Sequence, residues 1–181
     1  MPRSNKAKKR RIPRKDTIPD RARFPWPRMV IGIAVLFVAL QAYPFFLRSE
    51  LGSITTSWNA TLLWSLLRVA GANAILDGTV ILTDTIHFVV IPECTIFAPL
   101  ALFSAGVLVF PSTISTKLRA FTIGILVLSV ANLARLMTLY IILIVSPQLF
   151  EPVHLFVWQP IMAITALALW AMWAARQARY G

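Results

Sequence analysis

Residues 121–145 read FTIGILVLSVANLARLMTLYIILIV, and this stretch decides the fold because it is apolar for long enough to cross a bilayer. Its two most polar residues are Asn132 and Arg135. An arginine at the centre of a membrane helix costs about 2.5 to 3.5 kcal/mol on insertion scales, so it should face other helices and have a partner. Asn132, three residues earlier, falls on the same helical face. The stretch therefore predicts a membrane helix with one polar face turned inward.

The composition of the whole chain is that of an integral membrane protein. Of its 181 residues, 57% are hydrophobic and only 14% are charged, which lies outside the usual balance of soluble domains. Three further apolar runs, at about 29–47, 95–110 and 153–175, approach the length of a span. We therefore expect an all-α integral membrane protein with four transmembrane helices, forming a single membrane-embedded domain over residues 29–181.

The net charge of +11 comes mainly from the start of the chain, where residues 1–28 contain 11 of the 18 Lys and Arg residues. This segment also has five prolines and few apolar residues. It should form a disordered basic cytoplasmic tail that lies against anionic lipid headgroups. Because no aromatic residues interleave the basic run, we expect no nucleic-acid partner. The run at 29–47 has no small residue pair suited to cleavage, so we interpret it as an uncleaved signal anchor.

Charge also predicts the orientation of the spans. In a four-span topology, the basic tail falls on the same side as Lys117, Arg119, Arg176 and Arg179, and the positive-inside rule makes that side cytoplasmic. The opposite side receives five of the seven acidic residues: Glu50, Asp77, Asp84, Glu93 and Glu151. Both termini should therefore be cytoplasmic, with residues 48–94 outside the cytoplasm.

The segment between the first two spans changes its periodicity partway along. Its first half has helical spacing of Leu51, Ile54, Trp58, Leu62 and Leu66, which predicts an amphipathic helix in the membrane interface, ended near Gly71. Its second half has a period of two and predicts a small β-hairpin that turns at Asp77-Gly78 or Thr83-Asp84. The apolar positions of that alternation are Val80, Leu82, Ile86, Phe88 and Val90.

Cys94 is the single cysteine of the chain and follows this hairpin directly. One thiol makes neither a disulfide framework nor a zinc cage, and a lone cysteine is ordinarily a small buried residue. If it has a role, that role is as a reactive group. Its place before an apolar helix should favour the thiolate through the helix dipole, while the adjacent Glu93 opposes this.

His154 lies at the outer start of the last apolar run, with Trp158 one turn later. Alone, such a histidine is typical of an interfacial anchor, and His87 on the hairpin is typical of a solvated strand residue. The predicted topology, however, brings Cys94 and His154 to the outer ends of two spans, with Arg135 between them. A thiol, an imidazole and a guanidinium are the groups that acyl transfer requires.

The depth of Arg135 conflicts with this arrangement, since it lies ten residues before Val145 and a regular helix would place it about 15 Å below the outer boundary. Either that helix ends early or the site is a cleft.

Cys94-Thr95, Asn132-Leu133-Ala134-Arg135 and His154 together resemble the pattern of the exosortase/archaeosortase family, polytopic membrane enzymes. The resemblance covers roughly residues 51–175 and is most similar to the exosortase H subgroup. The chain departs from the family pattern at Ile96, where glycine is usual.

The resemblance implies a cysteine transpeptidase or protease of the bacterial plasma membrane, with its active site at the extracytoplasmic face. Its substrates would be secreted proteins whose C-terminal sorting signal has a short motif, similar to Ile-Pro-Thr-Leu-x-x-Trp-Gly, then a transmembrane helix and a basic end. Cys94 would be the nucleophile, Arg135 would stabilise the oxyanion and His154 would act as general acid and base, with Asn132 in support. Neither a metal nor an organic cofactor is implied.

Other functions stay open at this point. In a non-enzymatic membrane assembly or adaptor protein, Arg135 and Asn132 would join helices and Cys94 would be inert. Transport of small solutes would need a polar pathway, for which only these two residues are available. Metal binding by Cys94, His87 and His154 has no ligand spacing to support it. The sequence does not determine the oligomeric state or the acceptor of the acyl group.

Overall fold

The computed structural model describes residues 26–180. The tail predicted over residues 1–28 therefore lies outside the described residues, apart from its last three. Those three residues already belong to the first helix. The predicted first span at about 29–47 agrees within one residue with the apolar stretch Val30–Leu47 of that helix.

The described chain is mainly helical, with a small sheet between its second and third helices. Its helices and strands are α1 (Trp26–Leu47), α2 (Glu50–Val69), β1 (Ile75–Asp77), β2 (Val80–Leu82), β3 (His87–Val89), α3 (Phe97–Val109), α4 (Ile114–Val145), the single turn α5 (Phe150–Pro152) and α6 (Gln159–Tyr180). Short 3-10 turns at Pro92–Cys94 and Pro147–Leu149 and a π-helical segment at Val153–Trp158 complete it.

Three helical stretches are long and apolar enough to cross a membrane: Val30–Leu47, Ile114–Val145 and Pro147–Arg179. The predicted second span corresponds to α3, which has 13 residues. At 1.5 Å per residue α3 is about 20 Å long, short of the ~30 Å hydrocarbon core. It packs against α1, α4 and α6. The fourth span therefore stays a prediction.

Helix α4 is longer than its apolar run predicted. Helix α4 begins at Ile114 instead of residue 121, and so includes Lys117 and Arg119. The side chain of Lys117 links α4 to α3, because its Nζ donates a hydrogen bond to the carbonyl oxygen of Leu108 at 2.7 Å, near the end of α3. Apolarity marks the part of a helix that lies in lipid, and the helix itself continues beyond it.

Helix α2 has the predicted extent and ends in the predicted way. Ser49 caps its start by accepting a hydrogen bond from the backbone N–H of Gly52. At its end Gly71 adopts a φ of 89°, and the N–H groups of Gly71 and Ala72 donate to the carbonyls of Arg68 and Leu67. This is a Schellman motif, whose left-handed position favours glycine.

The two faces of α2 have different surroundings, since one is exposed and the other is buried. The predicted apolar stripe points outward, with exposed fractions from 39% for Leu66 to 67% for Trp58, as a helix in the interface requires. The opposite face is buried against the protein and consists of Gly52, Thr56, Ala60, Leu63 and Leu67.

The predicted hairpin is a three-stranded antiparallel sheet in the order β1-β2-β3, because the chain turns at both of the candidate positions. Gly78 has a φ of 59°, and it is the only residue of the first turn with positive φ, which fits a type II′ turn. Ile81 pairs with Phe88, and both are buried. The predicted face was therefore wrong on β2: Ile81 points inward instead of Val80 and Leu82, because directly paired residues share one face. His87 is exposed, as predicted.

Two separate apolar clusters hold these elements together. The sheet-side cluster joins α2 and the sheet to the C-terminal part of α4, and its members are Ala60, Leu63, Leu67, Ala74, Ile81, Phe88, Val90, Cys94, Leu136, Leu139 and Tyr140. The inter-helix cluster joins α3, α4 and α6 through Phe103, Val107, Ala120, Leu128 and Ala166. Asn132 and Arg135 lie on α4 between the two clusters, so the polar face of that helix falls where they meet.

Candidate functional site

Cys94 is fixed at the end of a 3-10 turn that begins at Pro92. Its N–H donates to the carbonyl oxygen of Ile91 at 2.8 Å, and the hydroxyl of Thr95 donates to the carbonyl oxygen of Pro92. The side chain of Cys94 is 6% exposed and belongs to the sheet-side cluster. Helix α3 begins three residues later, at Phe97. The thiol is therefore buried in the resting structure, close to a helix N-terminus as predicted.

Ile96 occupies the position at which glycine is usual in the exosortase/archaeosortase pattern that the sequence resembles. Its φ is −76° and its ψ is 0°, a conformation open to any L-residue. The backbone here does not require the left-handed conformation that glycine allows. Glycine is thus unnecessary at position 96 for the turn that presents Cys94.

Asn132 holds the backbone of Cys94 against α4. Its side chain is fully buried, and its Nδ2 donates to the carbonyl oxygen of Cys94 at 2.8 Å and to Oδ1 of Asn59 at 3.0 Å. Asn59 in turn donates from Nδ2 to the carbonyl oxygen of Thr55 at 2.8 Å. One asparagine therefore links the cysteine turn to α2 and α4.

Asn59 was not predicted as a site residue. In the sequence it stands among Ser53, Thr56 and Ser57, so it reads as one more polar residue of an amphipathic helix. No spacing rule connects it to Asn132, which is 73 residues away. Only the packing of α2 across α4 reveals it.

Arg135 lies one turn beyond Asn132 and is 4% exposed. Its Nη2 is 2.5 Å from Nε2 of His154. Since a guanidinium can only donate, Nε2 must accept, and this histidine is then neutral with its proton on Nδ1. The Nε of Arg135 is buried and has no hydrogen-bond partner within residues 26–180. Arg135 therefore has one donor in use and another free.

His154 reaches Arg135 from the π-helical segment Val153–Trp158, whose turns are wider than those of an α-helix. Pro160 lies two residues after this segment and has no N–H to donate, so one α-helical hydrogen bond is missing there. The side chain of His154 is half-buried, and its ring centroid is 6.0 Å from that of Phe150. Such π-helical segments often occur at functional sites.

Burial raises the pKa of the Cys94 thiol above its ordinary value. The charge of Arg135 and the hydrogen bond to the Ile91 backbone act in the opposite direction, while Glu93 adds to the increase. The expected stabilisation of the thiolate by the helix dipole does not prevail in this state. The resting cysteine is therefore a protonated thiol that needs a base before it can attack.

A cavity of about 550 Å³ lies beside these residues, between α1, α3 and α6. Its walls are mainly apolar, and its polar side chains are Tyr43, Glu93, Thr95, Arg135 and Gln159. Tyr43 and Gln159 were not predicted, because a tyrosine or glutamine at the end of a span is a common interfacial residue. Within the described residues, no three His, Cys, Asp or Glu side chains are grouped so that they could hold a metal ion.

The structure thus brings together the four predicted residues in two hydrogen-bonded pairs, Asn132 with Cys94 and Arg135 with His154. No hydrogen bond joins the Cys94 thiol to His154 in the part of the chain that the structure describes. Comparisons of this chain with protein-family models, with curated proteins and with solved structures find no match.

Proposed function

We propose that this chain is a membrane cysteine transpeptidase or protease of the exosortase type, acting on secreted proteins that have a C-terminal sorting signal. The observation that carries the proposal is the use of one helical face: Asn132 and Arg135, one turn apart on α4, hold the Cys94 backbone and the His154 ring. A nucleophile, a base and a cation are thereby held next to one turn of α4, and the cation, Arg135, also lines the cavity.

The chemistry follows from these groups. The sulfur of Cys94 attacks the carbonyl carbon of the substrate amide and forms a C–S bond, while Arg135 stabilises the negative oxygen of the tetrahedral intermediate. His154 accepts the thiol proton and delivers it to the amide nitrogen as the C–N bond breaks. The products are a thioester on Cys94 and a free amine. Attack on the thioester by water or by an acceptor amine then restores the thiol.

The hydrogen bond between Arg135 and His154 describes a resting state in this scheme. While Nη2 of Arg135 occupies Nε2 of His154, that nitrogen cannot accept a proton from Cys94. A substrate carbonyl that binds Arg135 would compete for the guanidinium and release the imidazole. Substrate binding and activation of the base are then a single event, which protects the thiol from reaction when no substrate is present.

The length of α4 is compatible with a site near the membrane surface, whatever the distance of Arg135 from Val145. Its 32 residues span about 48 Å, well beyond the ~30 Å core. Arg135 is 21 residues from Ile114, or about 31 Å along the helix. If Ile114 marks the cytoplasmic boundary, the guanidinium lies at the outer boundary. This supports a site at the extracytoplasmic face of a plasma-membrane protein with cytoplasmic termini, and the helix need not end early.

The proposal is tested with the full chain and a co-produced reporter. The reporter is a secreted domain followed by Ile-Pro-Thr-Leu-x-x-Trp-Gly, an apolar helix and a basic cluster, and its processing is measured by immunoblot. We expect Cys94→Ala to abolish processing while the protein accumulates normally in the membrane. Ser57→Ala is the control, because it removes an exposed hydroxyl of α2 that bonds the carbonyl oxygen of Ser53 in its own helix, and it should retain activity. Unchanged processing with Cys94→Ala would overturn the proposal.

The burial of Cys94 favours a second candidate, a membrane assembly or adaptor protein in which Asn132 and Arg135 only join helices. In that protein Cys94→Ala would leave assembly intact, whereas Arg135→Leu and Asn132→Leu would both disrupt it. Cys94→Ala therefore distinguishes the two functions: it should abolish the activity of an enzyme and leave an adaptor protein unaffected.

A further inference from the structure

The cavity beside Arg135 has two features that its catalytic role leaves unexplained. Its walls include four alanines, Ala39, Ala98, Ala101 and Ala163, on three different helices. A second apolar cavity of about 520 Å³ adjoins it, since Leu36 and Leu102 line both. From Tyr43 down to Gly32 the two cavities follow α1 for about 16 Å. Together the two cavities extend from the site to the depth of the inter-helix cluster.

The outer end of the cavity lacks a hydrogen-bond acceptor that Arg135 requires. This side chain is nine-tenths buried, it lines the cavity, and its Nε has no partner within the described residues. A buried donor without a partner costs about 1 to 3 kcal/mol, and more for a charged group. An occupant must therefore bring an acceptor to this end and apolar groups to the rest.

Glu93 lines the same end and restricts the choice of occupant. A lipid phosphate could accept from Arg135, but Glu93 would repel it. A peptide amide is neutral, so its carbonyl can accept from Arg135 while an N–H faces Glu93. The amine released on cleavage would be cationic, and Glu93 would stabilise that charge as well. A peptide that continues into apolar side chains fits both ends of the cavity.

Resting on the proposed function, the geometry points to this cavity as the binding site for the apolar residues that follow the cleaved bond, with Ala98, Ala101 and Ala163 limiting the size of their side chains. These residues belong to the membrane helix of the substrate, which enters between α1 and α6 with α3 beneath it. The cavity is then a specificity site for the leaving group, distinct from the groups that break the bond.

The test exchanges size between enzyme and substrate. Two reporters differ only in the first four residues of the apolar helix, which are all leucine in one and all alanine in the other. Ala163→Leu should lower processing of the leucine reporter by ~10-fold or more, the effect of crowding an apolar pocket, and leave the alanine reporter within about 2-fold. Ala168→Leu is the matched control, because Ala168 is an exposed residue of α6 outside the cavity, and it should process both reporters normally. Equal loss of both reporters, or loss of neither, would overturn the inference.

Crosslinking provides a measurement that needs no catalysis. A photoreactive phenylalanine analogue replaces Ala163 or Ala168 in the Cys94→Ala chain, which is co-produced with the leucine reporter. We expect reporter crosslinks from position 163 and few from position 168. Crosslinks from 163 to phospholipid alone would contradict the inference. If Cys94→Ala still processes the reporter while position 163 crosslinks to it, the cysteine mechanism is wrong and the binding site stands.

Discussion

Helices α1 and α4 are similarly apolar, with mean hydropathies of 2.2 and 2.0 over an 18-residue window of each, but they have different surroundings. None of the α1 window is buried within the protein, whereas 33% of the α4 window is. Asn132 and Arg135 are among the buried residues of α4. Hydropathy therefore identifies which helices can enter a membrane, while buried polar residues identify the helix that organises a site.

Substitution of His154, which is hydrogen-bonded to Arg135 on the polar face of α4, should lower the rate of processing most. Replacing His154 by Asn removes the group that moves the proton, so we expect processing of the reporter to fall by ~10²- to 10⁴-fold. The rate of processing by the full chain in membranes is the measurement. His87→Asn is the matched control, because His87 is exposed on β3, and it should leave the rate unchanged. Equal effects of the two substitutions would contradict the assignment of His154.

Substitution of Arg135 should have the second largest effect on the rate of processing. Changing it to Gln keeps a donor but removes the charge, and loss of one oxyanion donor typically lowers the rate by ~10²- to 10³-fold. Arg135→Lys keeps the charge without the planar guanidinium, so it should recover only part of the rate. The substitutions are compared by reporter processing at equal protein levels. Full activity in Arg135→Gln would mean that α4 contributes packing alone.

Asn132 should affect stability as well as activity. In Asn132→Ala the buried carbonyl of Cys94 loses its donor, so the free energy of unfolding should fall by about 1 to 3 kcal/mol. Thr138→Ala is a control on the same helix, because this hydroxyl bonds only to Ala134 of its own turn, and it should change stability by less than ~0.5 kcal/mol. Thermal unfolding in detergent measures both variants. Equal stability of the two variants would mean that Asn132 does not hold the Cys94 turn.

The reactivity of Cys94 should depend on pH and on α4. Because the thiol pKa is raised, the thiolate fraction stays small at pH 7, and alkylation should accelerate by ~10-fold per pH unit up to and beyond pH 8.5, the ordinary value for free cysteine. Arg135 lowers this pKa, so Arg135→Gln should raise it further and slow alkylation at pH 8. Mass spectrometry after a short exposure to iodoacetamide measures the rate. A plateau below pH 7.5 would contradict the direction of the shift.

Substitutions on the part of α1 that lies away from the cavity should have the smallest effect on stability and on processing. Phe37 is 59% exposed and does not line the cavity. Phe37→Leu should change the free energy of unfolding by less than ~0.5 kcal/mol and leave processing unchanged. Thermal unfolding and reporter processing check this. A large loss would mean that the lipid-facing side of α1 has a partner, and the contrast with α4 would disappear.

Much of the fold follows from periodicity and charge. Three of the four apolar runs predicted helices long enough to cross a membrane, the helical spacing from Leu51 predicted α2, and Gly71 predicted its end. The face of β2 could not be predicted, because it depends on the register that two turns impose. The length of α3 was overestimated because its apolar run includes Thr95, Ile96 and Phe110, which lie outside the helix.

The candidate site could be predicted only where chemistry is rare in the sequence. A single cysteine and one intramembrane arginine are conspicuous in an apolar chain, so Cys94 and Arg135 could be found without coordinates. Asn59 and Tyr43 could not, because polar and aromatic residues are common near membrane boundaries. Their proximity to the site comes from packing between elements that are distant in sequence.

The most direct test of the central claim is detection of an acyl-enzyme on Cys94. The full chain is co-produced with the leucine reporter, isolated under denaturing conditions and treated with hydroxylamine, which cleaves thioesters. We predict a covalent adduct that contains the reporter fragment up to the cleaved bond, is released by hydroxylamine, and is absent from Cys94→Ala. Processing of the reporter without any such adduct, or an adduct that persists in Cys94→Ala, would contradict the claim that this thiol is the nucleophile.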